Sequence, residues 1–218
     1  MQGSLWEACR LDPRVPVAVI GGGGKTTILM ELARTGGPQG SVTTTTRMWL
    51  PAEPWLSVEY GAPSAGEGWR FYARGVEGNK VWGLSPEEVD ELAGLRPQHP
   101  LLIEADGSKG RPLKVHREDE PVLPSCAGQT LVVVGMSALG RAFDEESVHR
   151  SGLWGAGGMI DVALMGDLVE RMLGRVCGAR VVLNQVDCPP LLEAGRQLAR
   201  RFDGVPVVAR SHSFLQRL

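Results

Sequence analysis

Short uncharged runs of branched residues alternate along the chain with segments whose apolar positions recur every three or four residues. Residues 17–20, VAVI, form the first such run, as expected for a strand buried on both faces. Ile28, Leu29, Leu32 and Ala33 follow at helical spacing, and Gly36, Gly37 and Pro38 stop that helix. Similar runs predict strands over 41–45, 101–105, 130–134, 179–183 and 205–209, with helices over 161–173 and 190–202. Ser85, Pro86 and Glu88 supply an N-cap, a first helical proline and a capping-box glutamate, which predicts a helix over 86–95. Residues 1–14 read as a short helix or arm lying on the sheet. Strands alternating with helices predict an α/β fold, with a mostly parallel sheet, helices on both faces and ligands at the carboxyl ends of the strands.

Residues 48–85 differ in texture. They hold Trp49, Trp55, Trp69 and Trp82 among prolines and glycines. The stretches 69–74 and 80–84 flank Gly78-Asn79, a hairpin signal. The segment therefore reads as an antiparallel hairpin insertion, its tryptophans forming either a local hydrophobic core or a platform for a flat ligand.

Length and composition narrow the class. At 218 residues the chain forms a single domain carrying the 48–85 insertion. A net charge of −2 argues against a nucleic-acid partner. Cys9, Cys126, Cys177 and Cys188 are scattered with no C-x-x-C pair, which speaks against a disulfide framework and a zinc site. No apolar run is long enough to cross a bilayer, and the first residues lack the basic start and apolar core of a signal peptide. A cytoplasmic protein without a membrane partner is the expectation.

The chemistry concentrates just after the first strand. Gly21, Gly22, Gly23 and Gly24 are followed by Lys25, Thr26 and Thr27 at the start of a predicted helix. Glycines let main-chain amides approach an anion, and a helix N-terminus favours phosphate. The spacing is G-x-x-G-K-T-T, two residues shorter than the common G-x-x-x-x-G-K-[ST] phosphate loop. Short loops of this form resemble those of Mur-ligase-type ATP-dependent enzymes.

A second stretch, LLIEADGSKG over 101–110, carries acidic groups at the carboxyl end of a strand. A nucleotide's Mg2+ needs a hard carboxylate beside the phosphate loop and a loop hydroxyl. Thr26 is that hydroxyl. Alternation puts Glu104 and Asp106 on one face, and Asp106, at the strand's edge, is the favoured ligand. Gly107 and Gly110 permit a turn that brings Lys109 over the phosphates. Threonines 43–46 end the second strand, so Thr44 or Thr45 can add a hydroxyl to phosphates or to the metal's water shell. Lys114, His116 and Glu120 in the following connection, and His149 with Arg150 further on, are candidates for the same edge.

Asn184, Gln185 and Asp187 form N-Q-x-D directly after a strand. GTP-binding proteins use N-K-x-D there, the aspartate accepting from the guanine and the asparagine bracing the base pocket. Gln185 in place of lysine leaves ATP and GTP both open.

Taken together, GGGGKTT, TTTTRM, EADGSKGRPLK with EPVLP, and LNQVD resemble the YqeC-type accessory proteins of selenium-dependent molybdenum hydroxylases. The resemblance implies a P-loop NTPase-like protein that binds a nucleoside triphosphate, ATP or GTP. Such a protein helps mature a selenium- and molybdenum-dependent hydroxylase or its cofactor. The reading is a nucleoside triphosphatase in which Lys25, Lys109 and Asp106 are catalytic and Thr26, Asp106 and Glu104 hold Mg2+. The loop glycines, Thr27, Thr44, Thr45, Asn184 and Asp187 bind the nucleotide. Two alternatives stay open: a ligase or kinase acting on a small molecule, and a nucleotide-gated carrier with negligible turnover.

Overall fold

The computed structural model describes residues 3–61, 67–155 and 157–218; residues 1–2 of the N-terminal arm and 62–66 of the insertion lie outside them. The chain runs α1 (Leu5–Ala8), β1 (Val17–Gly21), α2 (Lys25–Thr35), β2 (Gly40–Thr44), β3 (Arg47–Trp49) and β4 (Ser57–Tyr60). It continues through β5 (Trp69–Ala73), β6 (Gly75–Glu77), β7 (Lys80–Trp82), α3 (Pro86–Leu95), β8 (Leu101–Glu104) and β9 (Leu113–Lys114). The last third holds β10 (Gln129–Gly135), β11 (Val148–His149), α4 (Val162–Leu173), β12 (Ala179–Asn184), α5 (Pro189–Ala199), β13 (Val207–Arg210) and β14 (Leu215–Arg217).

Nine strands form the main sheet in the order β14-β13-β12-β10-β1-β8-β2-β5-β4. Every neighbouring pair is parallel except β13 with β14. Strand β1 lies at the centre, with Val19 opposite both Glu104 and Leu131. Alternate residues feed two cores, because successive side chains of a strand leave opposite faces. Val17, Val19, Leu102, Leu131 and Val133 pack with Ile28, Leu29 and Leu32 of α2 and with Trp6 of α1. Ala18, Ile20, Ile103, Val132 and Val134 pack against Val89 and Leu92 of α3, Met165 and Leu168 of α4 and Leu198 of α5. Helices thus cover both faces, as expected of a P-loop-like sheet.

The helix boundaries have local causes. Ser85 and Glu88 form the expected capping box, with Pro86 opening α3. The N-terminal arm is α1, capped reciprocally by Ser4 and Glu7 and docked on α2 through Trp6 Nε1, which donates to the Leu32 carbonyl at 2.9 Å.

The insertion carries the expected antiparallel hairpin, but with a different first arm. Its turn at Gly78-Asn79 joins β6 to β7, and β3 completes a separate three-stranded antiparallel sheet. Residues 69–73 instead form β5, a parallel strand of the main sheet between β2 and β4. The reason is burial: Trp69, Phe71 and Ala73 enter one core and Tyr72 the other, so this strand needs cover on both faces. The tryptophans divide accordingly, Trp69 being buried while Trp49 and Trp82 are 64% and 47% exposed.

Candidate functional site

The glycine loop crosses the carboxyl end of the sheet at its centre. Gly21, Gly23 and Gly24 have φ of 96°, 76° and 110°, the left-handed region that favours glycine. Space is equally restrictive, since a Cβ on Gly21 would lie 2.2 Å from the Val133 carbonyl oxygen and one on Gly23 2.3 Å from Gly135 Cα. Gly22 and Gly23 donate their amides to the carbonyls of Val133 and Arg111, both at 2.9 Å, so they fix the loop to its neighbours. Helix α2 then starts at Lys25 with Gly24 as N-cap and no side-chain cap. Its first-turn amides have no acceptor within the helix, which leaves them for an anion.

Lys25 is almost fully buried. Its Nζ donates to the Gly21 carbonyl at 2.9 Å and to Ser108 Oγ at 3.1 Å, and lies 3.1 Å from Asp106 Oδ1. Burial alone would depress the ammonium, but Asp106 and Glu104 outweigh it and hold the group protonated above the ordinary lysine range. Asp106 is inaccessible to solvent and is the hub of a charge array. Its Oδ2 accepts from the Gly21 amide at 2.8 Å, lies 2.5 Å from His116 Nε2 and 3.6 Å from Lys114 Nζ. Burial disfavours its charge, yet Lys25, His116 and Lys114 together hold the carboxyl well below the usual range. Lys114 donates onward to the Gly107 carbonyl at 2.7 Å and to Glu120 Oε1 at 3.0 Å, and Glu120 pairs with Arg150.

Thr26 meets Glu104. Its Oγ1 donates to Glu104 Oε2 at 3.0 Å, while Asp106 faces Lys25 beneath the loop. Burial pushes the Glu104 carboxyl up, against the pull of Lys25. The threonine run is spent largely on architecture: Thr44 Oγ1 donates to the Glu104 carbonyl at 2.9 Å and Thr45 Oγ1 to the Val122 carbonyl at 2.7 Å. Thr46, one residue further on, reaches the cavity instead.

That cavity has a volume of about 520 Å³ and opens over Lys25, Thr26, Glu104 and Ser108. Lys109, Glu120, His149 and Arg150 also line it, so the turn after β8 brings Lys109 to the same space as Lys25. Lys109 is held at φ 50° between Gly107 and Gly110. His149 is buried, and desolvation with the nearby Arg150 and Lys114 charges lowers its pKa to about 4.

On the other side of the loop Asn184 donates from Nδ2 to the Gly23 carbonyl at 2.7 Å and accepts from Arg210 Nη1 at 2.7 Å. It braces the loop. Asp187 is exposed and, with Thr27, Asn184 and Gln185, borders a recess of about 100 Å³. Gln185 Oε1 accepts from Ser137 Oγ at 2.6 Å.

A family model described as YqeC protein matches residues 17–152, which include the glycine loop, Glu104 and Asp106 at and just beyond the end of β8, and His149. The chain belongs to the YqeC family. It is similar to the uncharacterized protein YqeC of Escherichia coli (strain K12), 34% identical over 145 residues. The match covers 62% of this chain and 57% of that relative, so it spans little more than half the relative's length. No solved structure matches the chain. Asn184 and Asp187 lie beyond the stretch that the YqeC model matches.

Ser108, Thr46 and Lys80 line the cavity over Lys25 without having been singled out as site residues from sequence, and Trp49, one of the tryptophans offered as a platform, lines it too. Ser108 had a usable signal, since it sits inside the DGSKG turn next to Lys109. Among the described residues no group of three or more His, Cys, Asp or Glu side chains is placed to hold a metal unaided, and no helix is long and apolar enough to cross a membrane.

Proposed function

We propose that this YqeC-family chain is a magnesium-dependent nucleoside triphosphatase acting in the maturation of selenium-dependent molybdenum hydroxylases. The selenium-related role rests on family membership; the chemistry rests on the site. One observation carries it: the Thr26 hydroxyl and the Glu104 carboxylate meet at 3.0 Å beside the uncapped N-terminus of α2 and next to Lys25. Hydroxyl and carboxylate are the hard oxygen donors that Mg2+ takes, and Mg2+ keeps several waters, so it needs no all-protein cage. The residues fit it. When bound, the ion would neutralise charge on the β- and γ-phosphate oxygens.

This chain's own groups supply the rest. The first-turn amides of α2 and Lys25 hold the β- and γ-phosphates. Lys25 makes two hydrogen bonds and an ion pair, so a phosphate oxygen competes with these contacts for its donors. Among the described residues Ser108 is its only neutral side-chain partner and the contact most readily exchanged. Lys109 and Arg150 line the same cavity as Lys25 and would stabilise charge on the transferred phosphoryl group. Asp106 keeps Lys25 charged and in place. Asn184 positions the loop, and Asp187 is the candidate contact to the base.

Phosphate release from ATP and from GTP, measured with and without Mg2+, tests the proposal. Thr26→Ala should lower kcat by about tenfold or more. Turnover that is unchanged in Thr26→Ala, or that is indifferent to Mg2+, would overturn it.

A further inference from the structure

Two of the recesses beside the loop share Gly24 and differ in scale, about 100 Å³ on the Asp187 side and about 520 Å³ on the Lys25 side; a third, of about 730 Å³, borders Thr26 and Thr27 but not Lys25. A water attacking a terminal phosphate occupies only about 30 Å³. The recess on the Lys25 side, which also takes the terminal phosphates in the function proposed above, therefore extends well beyond what the attacking water needs. Lys25, Arg47, Lys80, Lys109, Arg117 and Arg150 line it against three carboxylates, those of Glu104, Asp119 and Glu120. Lys25 is matched by Asp106, Arg47 by Glu77, Arg117 by Asp119 and Arg150 by Glu120, whereas among the described residues no carboxylate pairs with Lys80 or Lys109, so these two ammonium groups give the recess its attraction for an anion.

Its outer wall has a specific construction. Strands β3 and β7 pair with Arg47 opposite Trp82 and Trp49 opposite Lys80, so these four side chains share one face. The Arg47 guanidinium lies 4.4 Å from the Trp82 ring centre, and Lys80 Nζ lies 4.9 Å from that of Trp49. Met48 and Val81 fill the opposite, buried face and do the packing. Trp49 stays 64% exposed at the cavity, so core packing does not account for it. An exposed indole beside an ammonium group offers one ligand both a stacking surface and a counter-charge.

We propose that Trp49 and Lys80 form a second subsite, which binds a planar, anionic small molecule at the same time as the nucleotide. Its pairing with a nucleotide rests on the function proposed above; the subsite itself does not.

The probe is 1-naphthyl phosphate, titrated calorimetrically into the full chain with and without Mg2+ and nucleotide, with inorganic phosphate as the non-planar control. Saturable binding is expected that persists with nucleotide present and exceeds that of inorganic phosphate. Trp49→Ala and Lys80→Ala should each weaken it by about tenfold, and Trp49→Phe should restore most of it. Both alanine variants should bind Mg2+-nucleotide within about twofold of the parent and melt with the parent, since both side chains sit at the surface of the small sheet. Three results would overturn the proposal: no saturable binding of the probe, binding untouched by Trp49→Ala, or loss of nucleotide affinity in Trp49→Ala. The last would make the indole the base's platform. If nucleotide fails to bind the parent, the proposed function falls, while the probe alone still decides the subsite.

Discussion

Thr26 donates its hydroxyl to Glu104 at 3.0 Å, whereas Asp106, two residues beyond Glu104, is sealed beneath Lys25. Two carboxylates on one face of one strand end therefore have different tasks. Glu104 faces the cavity and the α2 hydroxyl; Asp106 neutralises buried cations.

Substitution separates these tasks. Burial already pushes the Glu104 carboxyl up, so Glu104→Gln should leave the free protein as stable as the parent or slightly more so. It should remove most of the Mg2+-dependent part of nucleotide affinity. Asp106→Asn leaves Lys25 buried without its ion pair, while Lys114 keeps Glu120, and should cost about 3–5 kcal/mol of stability. Chemical denaturation of the two variants, with and without Mg2+-nucleotide, reads both effects.

Gly23 gives a second test, independent of any ligand. At φ 76° a side chain is strained, and a Cβ would come within 2.3 Å of Gly135 Cα. Gly23→Ala should destabilise the fold by at least about 2 kcal/mol. An alanine at Gly107, whose Cβ would meet nothing within 4 Å, should cost far less. Paired melting curves decide this.

Asn184 and Asp187 should separate in the same way. Asn184→Ala removes a buried bond to the Gly23 carbonyl and one from Arg210, for an expected loss of about 1–3 kcal/mol. Asp187 is exposed, so Asp187→Ala should change stability by less than about 0.5 kcal/mol while shifting the preference between ATP and GTP. Equal affinities for both nucleotides, before and after that change, would detach Asp187 from the base.

His149 sets a pH dependence. Its pKa falls from an ordinary value of 6.5 to about 4 in the fold, chiefly through desolvation. Between those values the unfolded chain binds a proton that the folded chain does not, so stability falls as pH drops through this window. His149→Gln should flatten that part of the curve relative to the parent. Denaturation midpoints measured from pH 7 to pH 4 in both proteins provide the check.

Much of this was legible beforehand because burial on both faces writes itself as uninterrupted branched runs. Residues 17–20, 101–105 and 130–134 each became a central strand, and the Ser85–Glu88 capping box placed α3. What stayed hidden depends on pairing across the sheet. Nothing local distinguishes residues 69–73 as a parallel strand rather than one arm of a hairpin, because the partner β2 lies far back in sequence. Alternation put Glu104 and Asp106 on one face but could not say which of them lies beneath Lys25. Likewise, four threonines in a row gave no sign that Thr44 and Thr45 hold backbone carbonyls while Thr46 turns to the cavity.

The central claim is that the N-terminus of α2 takes a Mg2+-bound nucleoside triphosphate, and thermal denaturation of the intact chain tests it most directly. With ATP or GTP at one hundred times its dissociation constant and Mg2+ present, the melting temperature should rise by roughly 5–10 °C. Thr26→Ala should lose most of that rise. No rise with either triphosphate, or an equal rise without Mg2+ and in Thr26→Ala, would contradict the account.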